Sequence, residues 1–195
     1  MTILFAKIAW LVLAGGWYGL RIPHERRSRK TQIARNEMGW PEKRRLAISL
    51  TGLGIIPFIY VATGFPKFAN YPFQPLLCGL GIAMVAIALT LFHLTHKALG
   101  RNWSVTLQLR EKHELVTHGV YKYVRHPMYT AFWAWALAQA LLLPNWVAGF
   151  SGIIGFGTLY LLRVGPEEKL MLDEFGEEYR SYMDRTGRLL PKFRS

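Results

Sequence analysis

Long apolar runs alternating with basic segments constrain this chain more than any other feature. Five runs, residues 2–20, 46–64, 75–95, 128–143 and 146–162, carry almost no ionisable side chains. A helix of roughly 20 apolar residues crosses a bilayer, and a backbone in lipid must satisfy its own hydrogen bonds. The expected fold is therefore all-α: one integral-membrane helical bundle over 1–195 with about five transmembrane helices. A cleaved leader is the alternative for the first run. That run ends in Gly-Trp-Tyr-Gly-Leu-Arg, not in a small-residue cleavage site, and a basic segment follows at once, which suits a retained span. Pro57 is expected to kink the second run.

The charges orient the spans. The formal net charge is +12. In a nucleic-acid binder such an excess would cover one face of a soluble fold, whereas here it falls between apolar runs, so no nucleic-acid partner is expected. Of 24 Lys and Arg, nine lie in 21–45, six in 97–127 and seven in 163–195, leaving only Lys7 and Lys67 for the opposite side. The positive-inside rule puts those three segments in the cytoplasm and the N-terminus across the membrane. Segment 21–45 reads as a loop, with room for a short interfacial helix, lying on anionic lipid. The single cysteine, Cys78, excludes an intrachain disulfide and any cysteine-based metal site. His93 and His96 share a helical face. Interfacial histidines are favoured over a metal pair, and no metal is expected.

The last two runs are short, about 25 Å each at ~1.5 Å per residue. Pro144-Asn145 joins them, which predicts a tight helical hairpin that barely crosses the bilayer or dips into it. Gly149, Gly152 and Gly155 recur at every third position and read as close helix packing. Beyond the fifth run, Pro166 suits the first turn of a new helix. Met171, Phe175, Tyr179 and Met183 form its apolar stripe. Glu167 lies on that stripe with Arg163 one turn earlier. A structural ion pair and a functional one are both open from the spacing. Seven of the twelve acidic residues lie between Glu167 and Asp184, so the tail can also pair with the basic loops.

The stretch from His113 to Tyr129 holds three histidines, three tyrosines, two basic residues and a glutamate, with Gly119 as a turn. A transporter would need ionisable groups at membrane depth, and the runs have almost none. A structural or adaptor protein would leave the dense polar stretch unexplained. An enzyme working at the cytoplasmic interface on an amphiphile from the bilayer uses both stretch and tail. No G-x-G-x-x-G after a strand, Walker motif, H-E-x-x-H or nucleophile elbow is present.

The motifs His113-x-Leu-Val-x-x-Gly-Val-Tyr-x-x-x-Arg-His-Pro-Met-Tyr, Pro144-Asn145, Arg163-x-x-x-Glu167-Glu168 and Phe-Gly-Glu-Glu-Tyr-x-x-Tyr resemble, in order and spacing, the isoprenylcysteine carboxyl methyltransferase family. Its members are integral-membrane methyltransferases with phospholipid N-methyltransferases as relatives. The likeness covers roughly Leu99 to Lys192. It implies S-adenosyl-L-methionine as methyl donor, released as S-adenosyl-L-homocysteine. It further implies a donor pocket of Gln108, His113, Glu114, Leu115, Val116, Tyr121, His126, Pro127, Met128, Tyr129 and Glu167. Arg163 matches the position that orients the acceptor carboxylate. Asn145 matches a family asparagine near the site and joins Arg163 and Glu167 as a catalytic candidate without an assigned role. Thr130-Ala131 departs from the glycine that many relatives carry after the tyrosine. The implied acceptor is a lipophilic small molecule or lipidated group, an isoprenylcysteine-like carboxylate first. A phospholipid or other amine, and a non-catalytic membrane binding protein, are the alternatives. Membrane lipid is the surrounding partner, and the oligomeric state is open, a monomer included.

Overall fold

The computed structural model describes residues 1–28, 33–36, 39–100, 108–110 and 115–192. It is a helical bundle. The helices are α1 (Ile3–Ser28), α2 (Trp40–Leu50), α3 (Ile56–Thr63), α4 (Pro75–Leu99), α5 (Pro127–Leu142) and α6 (Trp146–Arg185). Two short strands, β1 (Ile33–Asn36) and β2 (Gln108–Arg110), pair antiparallel and join the first two basic segments through their backbones. That pairing is a small addition to an otherwise all-α architecture.

Four helices are long and apolar enough to cross a membrane: Ile3–Arg26, Trp40–Thr63, Pro75–Leu99 and Trp146–Arg185. The protein is thus an integral-membrane bundle. α5, with 16 residues, reaches only about 24 Å, so it falls short of a ~30 Å hydrocarbon core. α5 packs between α4 and α6, while α1 lies on α4 and α2 on α6.

Helix continuity departs from expectation at three places. Segment 21–45 is not simply a loop: α1 runs on to Ser28, aided by an Arg21–Glu25 pair one turn apart (3.0 Å), and α2 starts at Trp40 with Pro41 in its first turn. Pro57 is preceded by a π turn over Thr51–Ile55, in which the Ile56 N–H reaches back to Thr51 O, so one helix wall continues through 40–63. Pro166 does not open a new helix; it lies inside α6. A proline there removes one backbone N–H bond but leaves the rest of the ladder intact. The break comes at Gly176, whose backbone is non-helical (φ 51°, ψ −123°).

Small residues let α2–α3 press onto α6. A Cβ on Gly52 would collide with Ser151 O, and one on Gly155 would lie 2.8 Å from Ile48 O. The carbonyl of Gly52 accepts from Gln139 Nε2 (3.1 Å) and Ser151 Oγ (2.8 Å), both deep in the bundle. The expected packing role of the glycine stripe is therefore seen, with Gly149 against the Leu143 carbonyl and Gly152 against Gln139. Rings from α1, α4, α5 and α6 (Trp17, Phe92, Phe132, Trp135 and Phe156) interlock largely edge to face.

Candidate active site

Above that aromatic floor lies a cavity of about 640 Å³. One part is apolar: Ala14 and Trp17 of α1, Leu46, Leu50 and Leu53 of the α2–α3 wall, Trp135 of α5, and Phe156 and Leu159 of α6. The other part is polar: Tyr121, Arg125, His126, Tyr129, Arg163 and Glu167. Leu115, Val116 and Met128 join the two. The polar wall forms because His126 precedes Pro127, which sits in the first turn of α5. Gly119 turns the chain at φ 61°, a conformation that glycine adopts without cost, and a short 3-10 helix over Gly119–Lys122 follows.

Two carboxylates from α6 face this wall. Tyr129 Oη donates to Glu167 Oε2. Arg163 Nε is 3.7 Å from the same oxygen, and His126 Nδ1 is 3.8 Å from Oε1. Glu168, one residue on, is buried and gathers three partners: Arg125 Nε (2.9 Å), Arg188 Nη2 (2.5 Å) and His126 Nε2 (3.2 Å). A carboxylate there only accepts, so His126 Nε2 carries the proton. Glu168 lies beyond the apolar part of α6, which ends near Leu162. Burial alone would raise its pKa, but hydrogen bonds from His126, Arg188 and Arg125 outweigh this and hold it far below the usual carboxylate range. Arg125 also donates to Thr186 O (2.5 Å). The backbone N–H groups of Arg125 and His126 donate to Gly187 O (2.9 Å) and Arg188 O (3.1 Å). The tail is thereby clasped onto the start of α5.

Leu115, Val116, Tyr121, His126, Met128, Tyr129, Arg163 and Glu167, all expected from the sequence, line one cavity. Pro127 is buried beside it without lining it. Gln108 lies on β2. His113 and Glu114 fall outside the described residues. Asn145 is placed elsewhere. Its side chain caps α6 by accepting from Ala148 N (2.9 Å) and donates to Pro66 O and Asn70 Oδ1 (both 2.7 Å). Being 22 residues before Glu167 on one helix, it sits about 33 Å away along the axis. Its expected place near the site is thus corrected to a structural cap at the other end of the bundle. The reason is that polar demand at a buried hairpin matches what an asparagine offers.

Sequence reasoning also missed Glu42, Glu168 and Arg188. Glu42 of α2 is 3% exposed and lies 3.1 Å from Arg163 Nη1. Glu168 had a signal in its neighbour Glu167 and in the surplus of tail carboxylates. Glu42 had none, since it stands among basic residues. The structure brings no three His, Cys, Asp or Glu together for a metal among the described residues. His96 is buried, bonded through Nδ1 to Phe92 O (2.7 Å), with the His24 ring 5.0 Å away.

Fold and site define an integral-membrane helical protein whose cavity joins a polar juxtamembrane wall to an apolar interior. Residues 79–173 match the model of the isoprenylcysteine carboxyl methyltransferase family. It is 29% identical over 129 residues to a rice (Oryza sativa subsp. indica) protein named probable protein-S-isoprenylcysteine O-methyltransferase, covering 65% of this chain and 66% of that one. Proteins named protein-S-isoprenylcysteine O-methyltransferase from Schizosaccharomyces pombe and Homo sapiens are 33% and 31% identical over 87 and 113 residues. Those matches cover 45% and 57% of this chain, and 37% and 40% of the relatives. The chain thus spans just under two thirds of the rice relative and less than half of the other two.

Proposed function

We propose that the protein transfers a methyl group from S-adenosyl-L-methionine to the carboxylate of a lipophilic, isoprenylcysteine-like acceptor at the cytoplasmic membrane interface. The observation that carries this reading is the two-ended cavity, in which Glu167, His126 and Tyr129 face an apolar chamber across Arg163. The donor set fits the methyl donor. A carboxylate and aromatic faces suit its ammonium and sulfonium groups, and apolar Leu115, Val116 and Met128 suit its adenine. By motif, Gln108, His113 and Glu114 complete the pocket.

When bound, the donor supplies an electrophilic sulfonium-bound methyl. The chain's own task is alignment and exclusion of water. Arg163 is suited to fix the acceptor carboxylate through parallel N–H donors. An acceptor already ionised needs no proton removed, so no general base is required. An amine acceptor would arrive as a cation facing Arg163 and Arg21 in the wall, which disfavours it. The apolar chamber takes the lipid chain.

Calorimetric binding of S-adenosyl-L-homocysteine to detergent-purified protein tests the donor site. We expect binding, weakened about 10- to 100-fold in Glu167→Ala, the range for losing a hydrogen bond to a charged group. No binding by folded wild type overturns the reading. Methylation of a prenylcysteine, compared with a phospholipid amine, then separates the acceptor classes.

A further inference from the structure

The family match begins at residue 79, yet a buried carboxylate from outside it reaches the site. We propose that Glu42 is a positioning residue for the acceptor: it holds the Arg163 guanidinium towards the cavity and keeps it from folding back onto Glu167. This rests on the function proposed above.

Arg163 is 8% exposed, and its Nη1 lies 3.1 Å from Glu42 Oε1. A guanidinium this deep needs a compensating charge. Glu167, one turn along the same helix, is the local candidate, but Arg163 Nε stands 3.7 Å from it, beyond hydrogen-bond reach. The closer carboxylate comes instead from α2, whose first turn holds Glu42 beside Pro41. The positive end of that helix lowers the cost of burying it. The α2 position is itself set by the Gly52–Gly155 contact with α6.

Glu42 does not line the cavity. Neither of its oxygens makes a hydrogen bond of good geometry among the described residues, and Arg45 Nη1 is 3.9 Å away. Its grip on Arg163 is therefore charge attraction and not a two-bond fork, the arrangement that an acceptor carboxylate would use. Without the Glu42 charge, Glu167 is the carboxylate left within 4 Å of Arg163 among the described residues. The guanidinium then turns along α6 onto Glu167, in the donor part of the same cavity, and leaves the acceptor carboxylate.

The test compares wild type, Glu42→Gln and Glu42→Asp in detergent. The probes are an S-farnesylcysteine carboxylate and its carboxamide, and binding is read by the fluorescence of Trp17 and Trp135 in the cavity wall. We expect wild type to favour the carboxylate, Glu42→Gln to lose that preference, and Glu42→Asp to recover part of it. Binding of S-adenosyl-L-homocysteine should stay within about threefold of wild type while acceptor kcat/KM falls roughly 100-fold, the scale for a misplaced reacting group. Three results would overturn the proposal: no carboxylate preference in wild type, an unchanged preference in Glu42→Gln, or equal loss of donor and acceptor binding with a lowered Tm. The last would mark a merely structural pair. The analogue binding needs no methyl donor, so failure of the proposed methyl transfer shows separately, as absence of homocysteine-conjugate binding by wild type.

Discussion

Arg163 and Glu168 illustrate how two buried charges five positions apart can serve different ends. Arg163 faces the cavity between Glu42 and Glu167, so Arg163→Ala should reduce turnover on a carboxylate acceptor by at least about 100-fold. Donor binding should change far less. Unaltered turnover would remove Arg163 from the reaction. Glu168 turns away towards Arg125 and Arg188. Removing one partner of a buried pair strands the other, so Glu168→Ala should cost about 3 kcal/mol, read as a lower Tm in detergent. Its depressed pKa fixes the sign of the pH dependence. The stabilisation is fully present above the ordinary carboxylate pKa of about 4.3 and is lost only as pH falls through the much lower folded value. The tail clasp should hold at pH 4, as monitored by proteolysis near Thr186. Loosening at pH 6 would contradict this assignment.

Among the elements, the α2–α3 wall is the most exacting, because it approaches α6 at backbone distance. Gly52→Val should displace the wall, lower Tm and disturb Arg163 through Glu42. Gly15→Ala in α1, where a Cβ meets nothing within 4 Å, should leave both stability and donor binding as they are. A tolerated Gly52→Val would show that the close contact is dispensable. The glycine stripe on α6 was legible as packing from its period alone, but not its partners. Likewise Pro166 marked a change in the helix, while only the packed structure shows that α6 passes through it and breaks at Gly176.

For the molecule as a whole, the charge pattern predicts which end faces the cytoplasm. Lys7 donates to Val61 O (3.1 Å) at the end of α3, close in sequence to Lys67, so the two lysines excluded from the basic segments share one end of the bundle. Cysteines introduced at exposed Lys67 and Glu178 should label from opposite sides of oriented vesicles, with Glu178→Cys reacting from the cytoplasm. Native Cys78 is buried and should contribute little background. Labelling of both from one side would refute the topology.

The sequence by itself determined the apolar runs, the segregation of 22 of 24 basic residues into three segments, and the motif from Leu115 to Tyr129 with Arg163 and Glu167. These are one-dimensional properties: hydropathy, charge and spacing read along a chain. Only the tertiary structure decided that Asn145 caps a helix far from the cavity, that Glu168 and not Glu167 gathers Arg125 and Arg188, and that Glu42 meets Arg163 across 121 positions of sequence. Such pairings depend on how each helix is rotated and how closely it approaches its neighbour. That is set by the side chains packed between helices, and no period within a single helix encodes it.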